Sequence, residues 1–182
     1  SVILSIGQGG VSWTVLQAAN AYAILARGGR RLPPTFIRGM RNSPPGPDVL
    51  FDQDIVQTIL DGLSSAVTDS FGTGSRLKYG PGDYEPIFNV DPIRVWGKTG
   101  TAQAPPLATD VDGDGVLADG ERIGDLHHAW FVGLAGETEP RYALAVFVEH
   151  GGSGGRVAGP IANQIIHALR DSGHLAGGGV AR

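Results

Sequence analysis

Ile93-Arg94-Val95-Trp96-Gly97-Lys98-Thr99-Gly100-Thr101 is the stretch on which the fold turns. It reads as a β-strand that ends in a lysine among glycines and threonines. On an extended strand the Lys98 ammonium and the hydroxyls of Thr99 and Thr101 alternate between the two faces. A glycine there leaves room for a substrate to lie against the strand backbone. It also places the next N–H where it can polarise a carbonyl, as an oxyanion hole requires. Taken alone, the same residues also describe a solvated lysine on a strand edge.

Two further strand signals follow, Ala129–Ala135 and Tyr142–Glu149, separated by Gly136-Glu137-Thr138-Glu139-Pro140. That separator is a hairpin loop, so the pair is antiparallel. A helix is expected from about Pro160 to Asp171, with Pro160 in its first turn and a buried stripe of Ile161, Ile165, Ala168 and Leu169. The tail from Gly173 to Arg182 is expected to fray.

Upstream of the strands, Thr14 can cap a helix from Leu16 to Arg27 that Gly28-Gly29 ends. A second helix starts with Asp52 as N-cap. Its apolar residues Ile55, Val56, Ile59, Leu60, Leu63 and Val67 recur at spacings of three and four, which predicts one buried face. The Pro-rich crossing from Leu32 to Asp48 is read as a loop within one domain, and Thr68–Asp91 as a long irregular stretch.

The bulk composition narrows the function classes. The chain has 182 residues, 41% of them hydrophobic, enough for one domain with a substantial core. Its 29 Gly and 12 Pro make it turn-rich, at roughly 23% still short of the ~25–30% of low-complexity chains. A net charge of −4 presents no basic face, so nucleic acid is not an expected partner. The absence of cysteine excludes disulfides, thiolate chemistry and Cys-based zinc sites. No apolar run approaches the ~20 residues that cross a bilayer. The sequence begins at Ser1 without an initiator Met, and we expect it to be cut from a longer protein.

Five blocks, in order, resemble the transpeptidase domain of class B penicillin-binding proteins. They are Ser5-Ile6-Gly7-Gln8-Gly9, Leu16-Gln17-Ala18-Ala19-Asn20-Ala21-Tyr22-Ala23, Gly97-Lys98-Thr99-Gly100-Thr101-Ala102-Gln103, His128-Ala129-Trp130-Phe131-Val132-Gly133 and Val148-Glu149-His150-Gly151-Gly152. The resemblance implies an α+β fold: the C-terminal half of a penicillin-binding-protein/β-lactamase-like transpeptidase, a penicillin-recognising serine acyltransferase whose antiparallel sheet is flanked by helices. Residues 1–182 are then the C-terminal part of a single domain.

It further implies that Lys98 recognises the carboxylate of a stem peptide or β-lactam, helped by the hydroxyls of Thr99 and Thr101. The Thr101 N–H becomes one arm of the oxyanion hole, and Gly100 permits close approach. The implied reaction is acyl transfer, in which a serine attacks a D-Ala-D-Ala bond and the acyl group passes to a neighbouring amine. The implied parent is anchored in the cytoplasmic membrane with this domain on its outer side, and acts with peptidoglycan stem peptides, β-lactams and the cell-wall synthesis machinery. No cofactor is implied for catalysis.

Two family elements, a helical Ser-x-x-Lys turn and a Ser-x-Asn loop, have no usable counterpart here. Ser-x-Asn does not occur, and Ser75-Arg76-Leu77-Lys78 lies in loop-forming sequence after, rather than before, the Ser5–Gly9 block. The chain is therefore expected to hold recognition and oxyanion parts without an attacking group, and to be inactive by itself. With half a sheet missing, it is expected to expose apolar surface and to be poorly stable alone. The rival readings are a non-catalytic envelope module that binds peptide or a partner, and a β-lactamase-like hydrolase.

One segment stands outside the family pattern. Asp110-Val111-Asp112-Gly113-Asp114-Gly115-Val116-Leu117-Ala118-Asp119-Gly120-Glu121 matches an EF-hand calcium loop at positions 1, 3, 5, 6 and 12, within an insertion at 104–127. Asp110, Asp112, Asp114, the Val116 carbonyl and Glu121 are the expected ligands of a structural Ca2+, with Gly115 at the sharp turn and Leu117 inward. Pro105-Pro106 rules out a regular helix just before it, and the alternative is a solvated acidic loop. Weaker signals carry no site: Gly151–Gly155 lacks a phosphate-loop ending, His127 and His128 point to opposite sides of a strand without spaced zinc partners, one expected packed and the other solvated, and Glu149 is read as a structural residue at the strand end.

Overall fold

A computed structural model of the chain describes residues 12–37, 46–105, 108, 110–116, 118, 121 and 126–175. The Ser5–Gly9 block and Leu117 lie outside them. Helix α1, Val15–Ala26, starts at the expected cap: the Thr14 hydroxyl accepts the Gln17 N–H and the Gln17 side chain accepts the Thr14 N–H. It stops where Gly28, at φ 65°, takes the left-handed conformation. Helix α2, Gln53–Thr68, starts at Asp52, whose carboxylate accepts the Asp54 N–H at 2.8 Å. No helix among the described residues is long and apolar enough to cross a membrane.

Strands β3 (Arg94–Ala102), β4 (His128–Gly136) and β5 (Tyr142–Val148) form an antiparallel sheet in the order β3-β4-β5. The register pairs Gly97 with Gly133, Thr99 with Phe131 and Thr101 with Ala129. A turn of π-helix, Gly154–Ala158, leads into helix α3, Gly159–Asp171.

Strand alternation then sorts the core into two layers. On one face Val95, Ala129, Phe131, Ala135, Leu144 and Val146 pack with Ala158, Ala162, Ile166 and Leu175. On the other, Trp96 and Leu134 pack with Leu60, Tyr22, Val56 and Leu63 from α1 and α2. The sheet is thus a middle layer between helices, as the α+β reading expects. Phe131 is fully buried and centres the first face. A Cβ at Gly97 would collide with its ring, and one at Gly133 would come within 2.8 Å of it. Both glycines are the floor on which this phenyl lies.

Four expectations are corrected. Within Thr68–Asp91 the chain forms a hairpin, β1 (Arg76–Gly80) with β2 (Asp83–Pro86), which turns at Pro81-Gly82. The α3 stripe is rotated: Ile161, Ile165 and Ala168 are exposed, whereas Gly159, Ala162 and Ile166 are buried and Leu169 is partly so. The small residues face the sheet because they let the helix approach closely. On α2, Leu60 and Val67 are buried, but Ile55 and Ile59 face outward. Finally, the chain is still packed at the start of the expected frayed tail: Gly173, at φ 77°, turns it back and Leu175 is buried in the core, while residues 176–182 lie outside the described residues. The Leu175 N–H and that of His174 donate to the Leu169 carbonyl.

Candidate active site

The Lys98 corner is assembled from three segments remote in sequence. Strand β3 supplies Lys98, Thr99, Gly100 and Thr101. The turn after α2 supplies Thr73, held by Gly72 and Gly74 N–H groups that donate to the Asp69 and Ala66 carbonyls. The π-turn supplies Gly154 and Gly155. A Cβ at Gly154 would collide with the carbonyls of Gly100 and Trp130, and one at Gly155 would press on the Thr73 carbonyl. The glycine run that superficially suggests a phosphate loop is therefore a packing device: only bare backbone fits between β3 and the Thr73 turn.

Lys98 is exposed, and its ammonium donates to Thr73 Oγ1 and to the Thr99 carbonyl, both at 3.0 Å. The Thr73 and Thr99 hydroxyl oxygens lie 2.7 Å apart. No carboxylate pairs with Lys98 among the described residues. Thr101 is exposed three residues beyond Lys98, opposite Ala129. The space at Gly97 is not open to a ligand, since Phe131 fills it. A Cβ at Gly100 would stand 3.2 Å from Trp130 Cβ on the opposite face. The sequence reading missed Thr73, because nothing in the spacing ties a turn threonine to a lysine 25 positions later.

Ser75 is buried and donates to the Gly72 carbonyl at 2.9 Å, while Lys78 lies on β1. They do not share a helical turn. His127 and His128 are both half-buried. His128 Nδ1 accepts the His150 N–H at 3.1 Å, His150 Nδ1 lies 3.0 Å from the Leu126 carbonyl, and His127 Nδ1 is buried without a partner. Glu149 is exposed just after β5.

In the acidic segment, ligand oxygens of Asp110, Asp112 and Asp114 lie within 4.8 Å of one another. Glu121 is not in that group. Its carboxylate accepts the N–H groups of Val111 and Ala118 at 2.8 Å and of Asp112 at 3.4 Å. Asp110 accepts from Gly113 and Gly115. Backbone N–H donors stabilise the ionised forms, so both Asp110 and Glu121 are held below the usual carboxylate range, Asp110 chiefly by Gly115 and Glu121 chiefly by Ala118. Val116 is exposed at the turn.

A family model described as the penicillin-binding protein transpeptidase domain matches residues 1–167. The chain belongs to that family. It is 30% identical over 200 residues to the peptidoglycan D,D-transpeptidase MrdA of Acinetobacter baumannii, covering 99% of this chain and 27% of that protein. It is also 30% identical to the penicillin-binding protein PbpB of Mycobacterium tuberculosis, over 89% of this chain and 23% of that one. Among solved structures, PBP2 of Pseudomonas aeruginosa superposes with a TM-score of 0.67 at 31% identity, covering 97% of this chain and 34% of that chain. The transpeptidase domain of Burkholderia pseudomallei penicillin-binding protein 3 gives 0.62 at 27% identity, over 93% and 46%. This transpeptidase-family chain thus spans about a quarter of the curated relatives it matches.

Proposed function

We propose that the chain forms the carboxylate-recognition and oxyanion side of a peptidoglycan D,D-transpeptidase. The observation that carries this reading is the exposed Lys98 ammonium held by Thr73 and the Thr99 carbonyl, with no carboxylate paired to it among the described residues. A cation placed among hydroxyls, with no counter-ion among the described residues, suits the free carboxylate of a D-Ala-D-Ala stem peptide, or of a β-lactam. The serine comes from outside these 182 residues. Its oxygen attacks the penultimate carbonyl, the C–N bond to the terminal D-Ala breaks, and that D-Ala leaves as the amine. A neighbouring stem-peptide amine then takes the acyl group and regenerates the serine. The Thr101 N–H stabilises the oxyanion in both steps. The 182-residue chain alone is inactive, and the full-length protein works at the outer side of the cytoplasmic membrane with the cell-wall synthesis machinery.

The test is acylation of the full-length protein by a fluorescent penicillin. Lys98→Ala should slow acylation about 10- to 150-fold, the loss of a charge-assisted hydrogen bond of about 1.5–3 kcal/mol. A full-length protein that binds stem peptide yet is never acylated would instead be a non-catalytic module of the envelope.

We also propose that the loop at 110–121 takes a structural Ca2+ through Asp110, Asp112 and Asp114, with the Val116 carbonyl and Glu121 completing the shell. The gathered carboxylates, Asp112 and Asp114 exposed and Asp110 half-buried, support this reading. Affinity should be of the weak extracellular kind, on the order of 10⁻⁴–10⁻³ M.

A further inference from the structure

An ammonium has three N–H donors and no acceptor, and a threonine hydroxyl has one donor and two acceptor sites. Lys98 commits two donors, one to Thr73 Oγ1 and one to the Thr99 carbonyl, which leaves one. Between Thr73 and Thr99 a single hydrogen bridges the 2.7 Å gap. If Thr99 donates, the Thr73 proton is left over; if Thr73 donates, the Thr99 proton is. In either arrangement the cluster keeps one O–H and one N–H uncommitted.

We infer that Thr73, from the turn after α2, is a specificity-determining member of this site: it fixes the Lys98 ammonium and, with Thr99, presents a two-donor fork that selects a free carboxylate over its amide. The inference rests on the transpeptidase reading and deepens it. Two donors match the two acceptor oxygens of a carboxylate. A carboxamide offers one oxygen and turns an NH2 donor towards the second donor of the fork, where no acceptor awaits it. Without Thr73, the ammonium loses a fixed acceptor on an exposed side chain, and Thr99 loses the partner that orients its hydroxyl.

The experiment measures equilibrium binding of N-acetyl-D-Ala-D-Ala and of its C-terminal amide to the immobilised full-length protein. Wild type should prefer the acid by about tenfold or more, the worth of one hydrogen bond to a charged group. Thr73→Val, close in shape, should weaken the acid by about tenfold and leave the amide nearly unchanged, so the ratio falls towards one. Thr73→Ser should restore the preference, and a merely structural role would weaken both ligands together. If Lys98→Ala abolishes the preference and Thr73→Val leaves it intact, the inference about Thr73 is overturned while the carboxylate reading stands. If wild type does not distinguish acid from amide, the carboxylate reading falls and takes the inference with it.

Discussion

The Lys98 corner and the acidic loop both gather polar side chains, but they are held together in opposite ways. In the loop, the bonds join near neighbours: Asp110 to Gly113 and Gly115, Glu121 to Ala118, and at most ten positions from Val111 to Glu121. Each depends on an ionised carboxylate. At the corner, Thr73 meets Lys98 across 25 positions, and the π-turn that closes the site comes from beyond β5. What holds it is packing, with Phe131 as floor and Gly154 as spacer. The loop should therefore respond to protons and metal, and the corner to side-chain volume.

The largest effect is expected from Phe131→Ala. The ring is fully buried, lies over Gly97 and Gly133, and sits 5.0 Å from the Phe88 ring. Truncation should cost about 3–5 kcal/mol, read as a lower urea midpoint. Gly154→Ala comes next. The nearest atoms to its methyl are rigid backbone, the Gly100 and Trp130 carbonyls and the Gly100 N–H, so the π-turn must lift from β3. A loss of about 1–3 kcal/mol is expected, together with weaker carboxylate binding at Lys98. Neither change should alter the behaviour of the loop. If Gly154→Ala left both stability and carboxylate binding at wild-type values, packing would not be what holds the corner.

The same contrast explains what was legible in the sequence. The caps at Thr14 and Asp52, the β4–β5 hairpin and the strand carrying Lys98 all follow from local chemistry or period-two patterning, and the structure contains them. The gathering of Asp110, Asp112 and Asp114 was legible for the same reason, since a loop ligand pattern is written in consecutive residues. Thr73 was not, because its role exists only after α2 and β3 are packed side by side. The face of α3 differs from the expected stripe because Ile161 and Ile165 dominate the sequence pattern, whereas Gly159 and Ala162 allow close approach to the sheet and turn Ile166 into the core. The β1–β2 hairpin was hidden in Gly- and Pro-rich sequence whose strands are short and largely exposed.

The smallest effect, and the one that most sharpens the contrast, is acid opening of the loop. Asp110 and Glu121 have folded-state pKa values below the ordinary carboxylate values, with backbone N–H donors as the main cause. A lowered pKa means that the folded loop binds protons less readily than the open one. Its contribution is therefore fully present above the unfolded carboxylate values, about 4, and disappears as the pH falls through the lower folded values. Amide hydrogen exchange at Gly115 and Ala118 should accelerate across that window while exchange in β4 stays slow. Calcium competes with protons for the same oxygens, so millimolar Ca2+ should push the opening to still lower pH. An opening midpoint unmoved by Ca2+ would remove the metal reading and leave a loop that its own carboxylates tie to its backbone. If β4 exchanged in step with the loop, the two regions would form one cooperative unit, and the separation between charge-held and packing-held structure would fail.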